Sequence, residues 1–359
     1  MNKINLENYG LNQRFRQEAS LYSHLFIARV SEQHRDLYKV ICEDGERLAE
    51  VSGKLAFTVE DRSGFPVVGD WVMIDRTDGD SGNAVIHHVL SRTSLFERKA
   101  AGTGNGIQLI AANFDLVFIC MSLNADFNLR RLERYLSIAW NSMAMPVIVL
   151  TKADLCDDLT SRLAEISTVQ VGTDVIVCSS RDNLGYDRVN SYITAGKTIV
   201  FIGSSGVGKS TIINHLIGKE LIPTKEIRND DQGRHTTTHR QLLLLPDGGV
   251  VIDTPGMREL HLDMANLSKS FEDIEALAEN CRFRDCTHTS EPGCAVKNAI
   301  EKGVLSQKRF NNYGKLQKEI DYEQLNSRQL EQEKIKNMFG SKSEMKQVMR
   351  QAKNKHKRN

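Results

Sequence analysis

No stretch of this 359-residue chain approaches the ~18 apolar residues of a membrane-spanning helix. Its first residues, Met1-Asn2-Lys3-Ile4-Asn5-Leu6-Glu7-Asn8, lack the apolar run of a secretory signal. An excess of one charge is missing too. With 47 Lys and Arg against 46 Asp and Glu, the formal net charge is +1 and the whole chain is no polycation. An even set of cysteines is also lacking. The seven present sit mostly in apolar runs, which suits a reducing compartment rather than a disulfide framework. These absences set aside the membrane and secreted classes, and a cytoplasmic protein, monomeric by default, is expected. Hydrophobic residues at 40% suffice for packed cores, and the length predicts about two or three domains.

Charge becomes uneven only at the end of the chain. From Ser341 to Asn359, Lys342, Lys346, Arg350, Lys353, Lys355, Lys357 and Arg358 face Glu344 alone. Such a tail is either a nucleic-acid contact or simply a solvated, disordered end.

The strongest signal is Gly203-Ser204-Ser205-Gly206-Val207-Gly208-Lys209-Ser210, which fits the phosphate-binding pattern G-x-x-x-x-G-K-[ST]. A β-branched apolar run, Lys197 to Ile202, precedes it. A helical run, Thr211 to Ile217, follows and is closed by Gly218. Glycines let backbone N–H groups curl around a phosphate, and the helix start adds partial positive charge. Lys209 is placed to reach β- and γ-phosphates, and the Ser210 hydroxyl to ligate Mg²⁺.

Upstream, Leu25 to about Leu95 alternates over short runs such as Leu25–Val30, Leu37–Cys42, Val67–Ile74 and Ala84–Leu90, with turn signals at Asp44-Gly45, Ser63-Gly64 and Asp78-Gly79. About five short strands predict a small β-barrel, with the OB-fold the natural candidate. Residues 1 to about 22 read as polar and irregular, and 96 to 112 as a connector with a flexible glycine-rich centre. An α/β pattern then begins. Strands are expected at Asp115–Cys120, Pro146–Leu150, Asp174–Cys178 and Thr198, with helices at Leu129–Trp140, Leu159–Ile166 and Asn183–Ile193. Alternation of this kind predicts a parallel, doubly wound sheet with ligands at the carboxyl ends of its strands.

Each strand end carries a motif suited to one ligand. Thr151-Lys152-Ala153-Asp154 resembles the guanine-reading motif N/T-K-x-D. A carboxylate at Asp154 accepts from both N1–H and the 2-amino group of guanine, an arrangement adenine does not offer. The stem of Lys152 packs along the base, and Ser179-Ser180 sits where a short loop offers a backbone N–H to guanine O6. After the phosphate loop, Gln232 to His239 holds Thr236, Thr237 and Thr238. One of these hydroxyls would meet Mg²⁺, with Thr237 favoured. Asp253-Thr254-Pro255-Gly256 fits D-x-x-G, with Asp253 contacting Mg²⁺ through water and the Gly256 N–H sensing the γ-phosphate.

Ordinary GTPases run phosphate loop, switch I, D-x-x-G, guanine motif and last loop. Here the guanine motif and last loop come first, so the order is a circular permutation. Past D-x-x-G the chain leads straight into a C-terminal region where Cys281, Cys286, His288 and Cys294 are spaced C-x4-C-x-H-x5-C. Three thiolates and an imidazole fill a tetrahedral Zn²⁺ shell, which describes a structural rather than a catalytic zinc. Ser306 to about Phe339 reads as helical.

Taken together, these motifs mark a resemblance. Val68-Gly69-Asp70-Trp71-Val72, Ala111-Ala112-Asn113-Phe114-Asp115, Thr151-Lys152-Ala153-Asp154-Leu155, the phosphate loop, Gly233-Arg234-His235-Thr236-Thr237-Thr238, Asp253-Thr254-Pro255-Gly256 and the Cys/His knuckle resemble the RsgA (YjeQ) family of bacterial circularly permuted GTPases, over roughly residues 25–320. The resemblance implies a multidomain α/β protein: an N-terminal extension (1–24), OB-fold (25–98), connector (99–112), permuted P-loop GTPase domain with a doubly wound sheet (113–265), zinc-binding helical domain (266–340) and basic tail (341–359). It implies GTP/GDP, Mg²⁺ and one Zn²⁺ as ligands. It also implies late maturation of the small (30S) ribosomal subunit and its 16S rRNA, with hydrolysis stimulated by that subunit. The nucleotide would be held by Thr151, Lys152, Asp154, Ser179, Ser180, Gly203, Ser204, Ser205, Gly206, Val207, Gly208, Lys209, Ser210, Thr211, Asp253 and Gly256. Catalysis would fall to Lys209, Thr237 and His235.

The assignment of His235 rests on an absence. Met257 stands where Ras-like enzymes carry a water-orienting Gln, so another group must place the water. His235 is the candidate, the other reading being that it binds RNA or shapes its loop. Gly206 stands where some Gln-less GTPases carry a potassium-holding Asn, so that route is not expected. Two other classes stay open. A kinase or ATPase is opposed by Asp154. A nucleotide-gated RNA-binding assembly factor with little turnover is opposed by intact Lys209, Ser210 and Asp253.

Overall fold

The computed structural model describes residues 3–34, 37–59, 62–78, 82–99, 107–170, 172–220, 240–246, 248–253, 267 and 270–324. Residues 3–22 correct an expectation. The segment read as irregular forms a 3-10 turn (Leu6–Tyr9) and a helix α1 (Gln13–Ala19), whose N-cap Asn12 accepts from the Phe15 N–H. Leu6, Leu11 and Phe15 are buried, and the Phe15 ring lies 5.8 Å from that of Trp71. Three anchors spread over ten residues make too sparse a pattern to read as an element, yet they bury completely.

Strands β1 (Phe26–Gln33), β2 (Tyr38–Cys42) and β3 (Gly45–Val51) form an antiparallel meander. A short helix α2 (Gly53–Thr58) leads to β4 (Trp71–Ile74) and β5 (Ala84–Val89). The order β1-β2-β3-β5-β4 is closed by β4 pairing back on β1, with β3 and β5 parallel. This is the closed five-stranded barrel of the expected OB type. Period-2 residues fill it: Ala28 and Val30, Val40 and Cys42, Val72 and Ile74, Ala84 and Ile86. The opposite face of β1 carries Arg29, buried at 1% exposure. Its guanidinium donates to the carbonyls of Gly69, Asn113 and Tyr9 and to Thr198 Oγ1, and it lies 5.3 Å above the Trp71 ring. Burial pulls its pKa down to about 10. One cation thus ties the N-terminal segment and the barrel to the strand that leads into the phosphate loop.

The stretch read as a connector carries an antiparallel pair, β6 (Leu95–Lys99) and β7 (Ile107–Ala112). The parallel sheet follows, from β8 (Leu116–Ser122), helix α3 (Leu129–Asn141), β9 (Met145–Thr151), helix α4 (Leu159–Ser167), β10 (Asp174–Val177), helix α5 (Tyr186–Ser191), β11 (Thr198–Ile202) and helix α6 (Lys209–Ile217). Strands β8 and β11 are buried at every position, as a sheet covered on both faces requires. Helix α5 starts later than its apolar pattern predicts. Gly185 is left-handed at φ 81°, and a Cβ there would fall 2.0 Å from the Val177 carbonyl oxygen. Strands β12 (Gln241–Leu244) and β13 (Val250–Asp253) are antiparallel. The order is β10-β9-β8-β11-β13-β12, and Gln241 of β12 pairs with Glu32 of β1, so barrel and nucleotide sheet form one surface of eleven strands.

Three helices finish the described chain: α7 (Glu272–Ala278), α8 (Ala295–Glu301) and α9 (Gln307–Gln324). Phe271, Ile274, Val296, Tyr313, Leu316 and Ile320 are buried in the cluster that also takes Leu132, Tyr135 and Leu136 of α3. Among the described residues no helix is long and apolar enough to cross a membrane.

Candidate nucleotide site and metal centre

The phosphate loop leaves β11 through Gly203, at φ 144°, where a Cβ would stand 2.4 Å from the carbonyl oxygen of Cys120. Only glycine lets the loop pass that close to β8. Gly208, left-handed at φ 100°, caps α6 and turns the chain so that Lys209, Ser210 and Thr211 form its first turn. The Lys209 ammonium lies across the loop, donating to the carbonyls of Gly203 and Ser204 at 2.7 Å each. Val207 is buried and anchors the loop, while Ser205 and Gly206 are exposed and Ser204 is half-buried. A helix start, a string of N–H groups and a held lysine are chemically suited to phosphate oxygens.

The guanine motif lies alongside. Thr151 ends β9, is buried, and its hydroxyl donates to the Val207 carbonyl at 2.5 Å. Lys152 takes the left-handed conformation, φ 56°, opening the turn Ala153–Leu155. The Ala153 N–H donates to the Cys178 carbonyl at 3.1 Å, holding the turn against the end of β10. There, fully buried Ser179 donates through Oγ to Asp154 Oδ1 at 3.1 Å, with Asp182 Oδ2 2.8 Å from the same oxygen. The Asp182 N–H donates to Ser179 Oγ at 3.2 Å, and Ser180 is exposed. Motifs 25 residues apart thus meet through one hydroxyl. Asp182 was not among the sequence candidates. Its signal, a carboxylate three residues past a strand-end serine, is too common to single out.

Asp253 ends β13, paired with Gln241. Val200 pairs with Ile252 in parallel register, so Asp253 lies level with the last residues of β11, where the phosphate loop begins. Ser210 and Asp253 are hard oxygen donors suited to Mg²⁺. His235, Thr236, Thr237, Thr238, Gly256 and Met257 lie outside the described residues.

A family model described as RsgA GTPase matches residues 89–263. The chain is 52% identical over 346 residues to the Small ribosomal subunit biogenesis GTPase RsgA 2 of Lactiplantibacillus plantarum, across 96% of this chain and 97% of that one. The chain belongs to the RsgA GTPase family. A second RsgA protein, Small ribosomal subunit biogenesis GTPase RsgA 1 of Listeria innocua, is 45% identical over 88% of this chain and 90% of its own length. Among solved structures, YjeQ from Thermotoga maritima matches with TM-score 0.62 at 27% identity, covering 82% of this chain and 98% of that one. YloQ, described as a circularly permuted GTPase, matches with TM-score 0.57 at 25% identity, covering 84% and 97%. The chain is therefore a GTP hydrolase with a permuted nucleotide sheet and a five-stranded barrel.

In this RsgA chain the Cys/His knuckle is assembled between α7 and α8. Ligand atoms of Cys281, Cys286, His288 and Cys294 all lie within 4.8 Å of one another. His288 Nδ1 stands 3.6 Å from Cys281 Sγ and 3.4 Å from Cys294 Sγ, and those two sulfurs are 3.9 Å apart. A tetrahedral zinc with Zn–S of about 2.3 Å spans sulfur–sulfur edges of roughly 3.8 Å, so donor set and spacing fit that ion. Cys294 also caps α8, accepting from the Lys297 N–H at 3.5 Å.

Proposed function

We propose that this GTPase acts in small ribosomal subunit biogenesis. It binds the small (30S) subunit through 16S rRNA, assists a late step of its maturation, and hydrolyses GTP to GDP and phosphate faster when the subunit is bound. The observation that carries this reading is the 52% identity, over 96% of the chain, to a relative bearing that name. The protein works in the cytoplasm as a monomer.

In this reading the guanine base is read by Asp154, which Ser179 holds, with Lys152 along its face and Ser180 near O6. The phosphates lie on the N–H groups of residues 203–211 under Lys209, whose charge offsets that developing on the γ-phosphoryl oxygens. Ser210, Thr237 and Asp253 would hold Mg²⁺, which would supply further neutralisation of phosphate charge. Gly256 senses the γ-phosphate. Met257 cannot orient water, so His235 does, once the ribosomal subunit orders switch I. The residues after Asp253 run directly into the helical region around the Cys₃His site, so nucleotide state moves that region. Zinc there is structural.

The test is GTP turnover by the purified chain, with and without small subunits, at fixed salt and Mg²⁺. Large stimulation by the small subunit alone is expected, lost in His235→Ala while GDP binding persists. Full stimulation of that variant would remove His235 from the mechanism. Tight GTP binding without stimulation would leave a nucleotide-gated assembly factor.

A further inference from the structure

The four metal donors do not by themselves explain the turn between them. His288 sits at φ 58°, the left-handed region that a residue with a Cβ rarely adopts. The groups that hold it there converge on one carboxylate. Glu291 Oε1 accepts from the Thr287 N–H at 2.9 Å and from Thr287 Oγ1 at 2.5 Å. Its Oε2 accepts from the N–H groups of Thr289 and Ser290, each at 3.0 Å. Backbone N–H groups on both sides of His288, of Thr287 before it and of Thr289 and Ser290 after it, are thus pinned to the same side chain.

Two further bonds brace the turn. Thr287 Oγ1 and Thr289 Oγ1 are 2.8 Å apart, and since the Thr287 proton goes to Glu291, Thr289 is the donor. From α8, Lys297 Nζ donates to the Thr289 carbonyl at 2.9 Å. Four donors on one carboxylate keep it ionised. The Thr287 hydroxyl, followed by the backbone N–H groups, brings its pKa down to about 2. With both oxygens engaged by donors, Glu291 is not a fifth ligand; it acts on the ligand it surrounds.

We infer that Glu291 is a positioning residue of the metal centre: its carboxylate presets the Thr287–Ser290 turn so that His288 presents Nδ1 to the three thiols. The inference rests on the reading that Cys281, Cys286, His288 and Cys294 hold a metal ion. Groups behind a ligand set its orientation, and losing one typically costs about 10–100-fold in metal affinity.

The experiment uses the full chain, stripped with chelator and titrated with Zn²⁺ or Co²⁺ against a competing chelator. Glu291→Ala should bind about 10–100-fold more weakly and release metal faster. Glu291→Gln should fall between, because one oxygen still accepts from Thr287 while its amide opposes the N–H groups of Thr289 and Ser290. Retained GDP binding reports that each variant is folded. Tyr313→Phe, which removes a 2.6 Å bond to Glu275 without touching the turn, should lower the melting temperature and leave metal affinity unchanged. Equal affinity and release rate in the wild type and Glu291→Ala would overturn the inference alone. A wild type that binds neither ion would overturn the metal reading and the inference with it.

Discussion

The hydroxyl of Thr151 donates to the carbonyl of Val207 at 2.5 Å, joining the guanine motif to the phosphate loop across 56 positions of sequence. Neither residue need touch the nucleotide for this bond to matter, because it sets the distance between the two ends of the site. Thr151→Val keeps the shape and removes the donor, leaving a buried carbonyl short of a partner at a cost of about 1–3 kcal/mol. GTP and GDP affinity should fall about tenfold, equally for both, as read by fluorescent-nucleotide titration. An unchanged Kd would show that the two loops are held together by other contacts.

Asp154, Ser179 and Asp182 share one hydroxyl proton, which serves one carboxylate at a time. Asp154→Asn should exchange the acceptor that guanine needs for a donor that the 2-oxo group of xanthine accepts. GDP affinity should drop by at least about 100-fold and XDP should become the better competitor. Ser179→Ala should weaken GDP binding about tenfold without admitting XDP, since the carboxylate remains but loses its anchor. Competition among GDP, XDP and ADP reads both, and strong ADP binding by the wild type would contradict the assignment of Asp154.

Arg309 of α9 reaches back 176 positions to Glu133 of α3, at 2.5 Å, with both side chains under 10% exposed (8% and 4%). It also grips Asp273 at 2.7 Å, an arm that contributes less because that carboxylate is 41% exposed and screened by water. Breaking a buried pair strands the remaining charge, so Arg309→Met should cost about 3–5 kcal/mol in denaturant unfolding, and adding Glu133→Leu should recover most of it. The pH sign follows from burial, which raises the Glu133 pKa against the pull of Arg309. Without Arg309 it rises further. The folded variant then binds a proton more readily than its unfolded chain, so its deficit is largest at neutral pH. It should shrink as pH falls through the raised Glu133 pKa, below which the carboxyl is neutral and needs no partner. A deficit independent of pH would mean that packing, not charge, carries the loss.

The seven cysteines should react in three classes. Cys156 is half-buried and outside the metal cluster, so it labels first. Cys281, Cys286 and Cys294 should label only after chelation. Cys42, Cys120 and Cys178 should wait for unfolding, since all are buried and burial pushes Cys120 up to about 12 and Cys178 up to about 11. Counting modified thiols by mass in each condition checks this. Three additional fast thiols before chelation would argue against a bound metal.

The amino-acid sequence alone determined the parts whose chemistry lies in residue type at short spacing. The phosphate loop, Thr151-Lys152-Ala153-Asp154, Asp253 at a strand end, and the cysteines with His288 each declare themselves within a few positions. Their order exposed the permutation, and apolar runs bounded by turn residues located the strands of the parallel sheet. The tertiary structure alone decided what joins distant segments: closure of the barrel by β4 on β1, burial of Leu6, Leu11 and Phe15, the seat of Arg29, and the pairs Thr151–Val207 and Glu133–Arg309. Asp182 and Glu291 belong with these despite their short spacing, because the turns that aim them have no periodic signal. The physical reason is common to all. A motif's function depends on which groups it carries, whereas a contact depends on where the folded chain brings them, and in this protein Arg309 lies 176 positions from its partner Glu133.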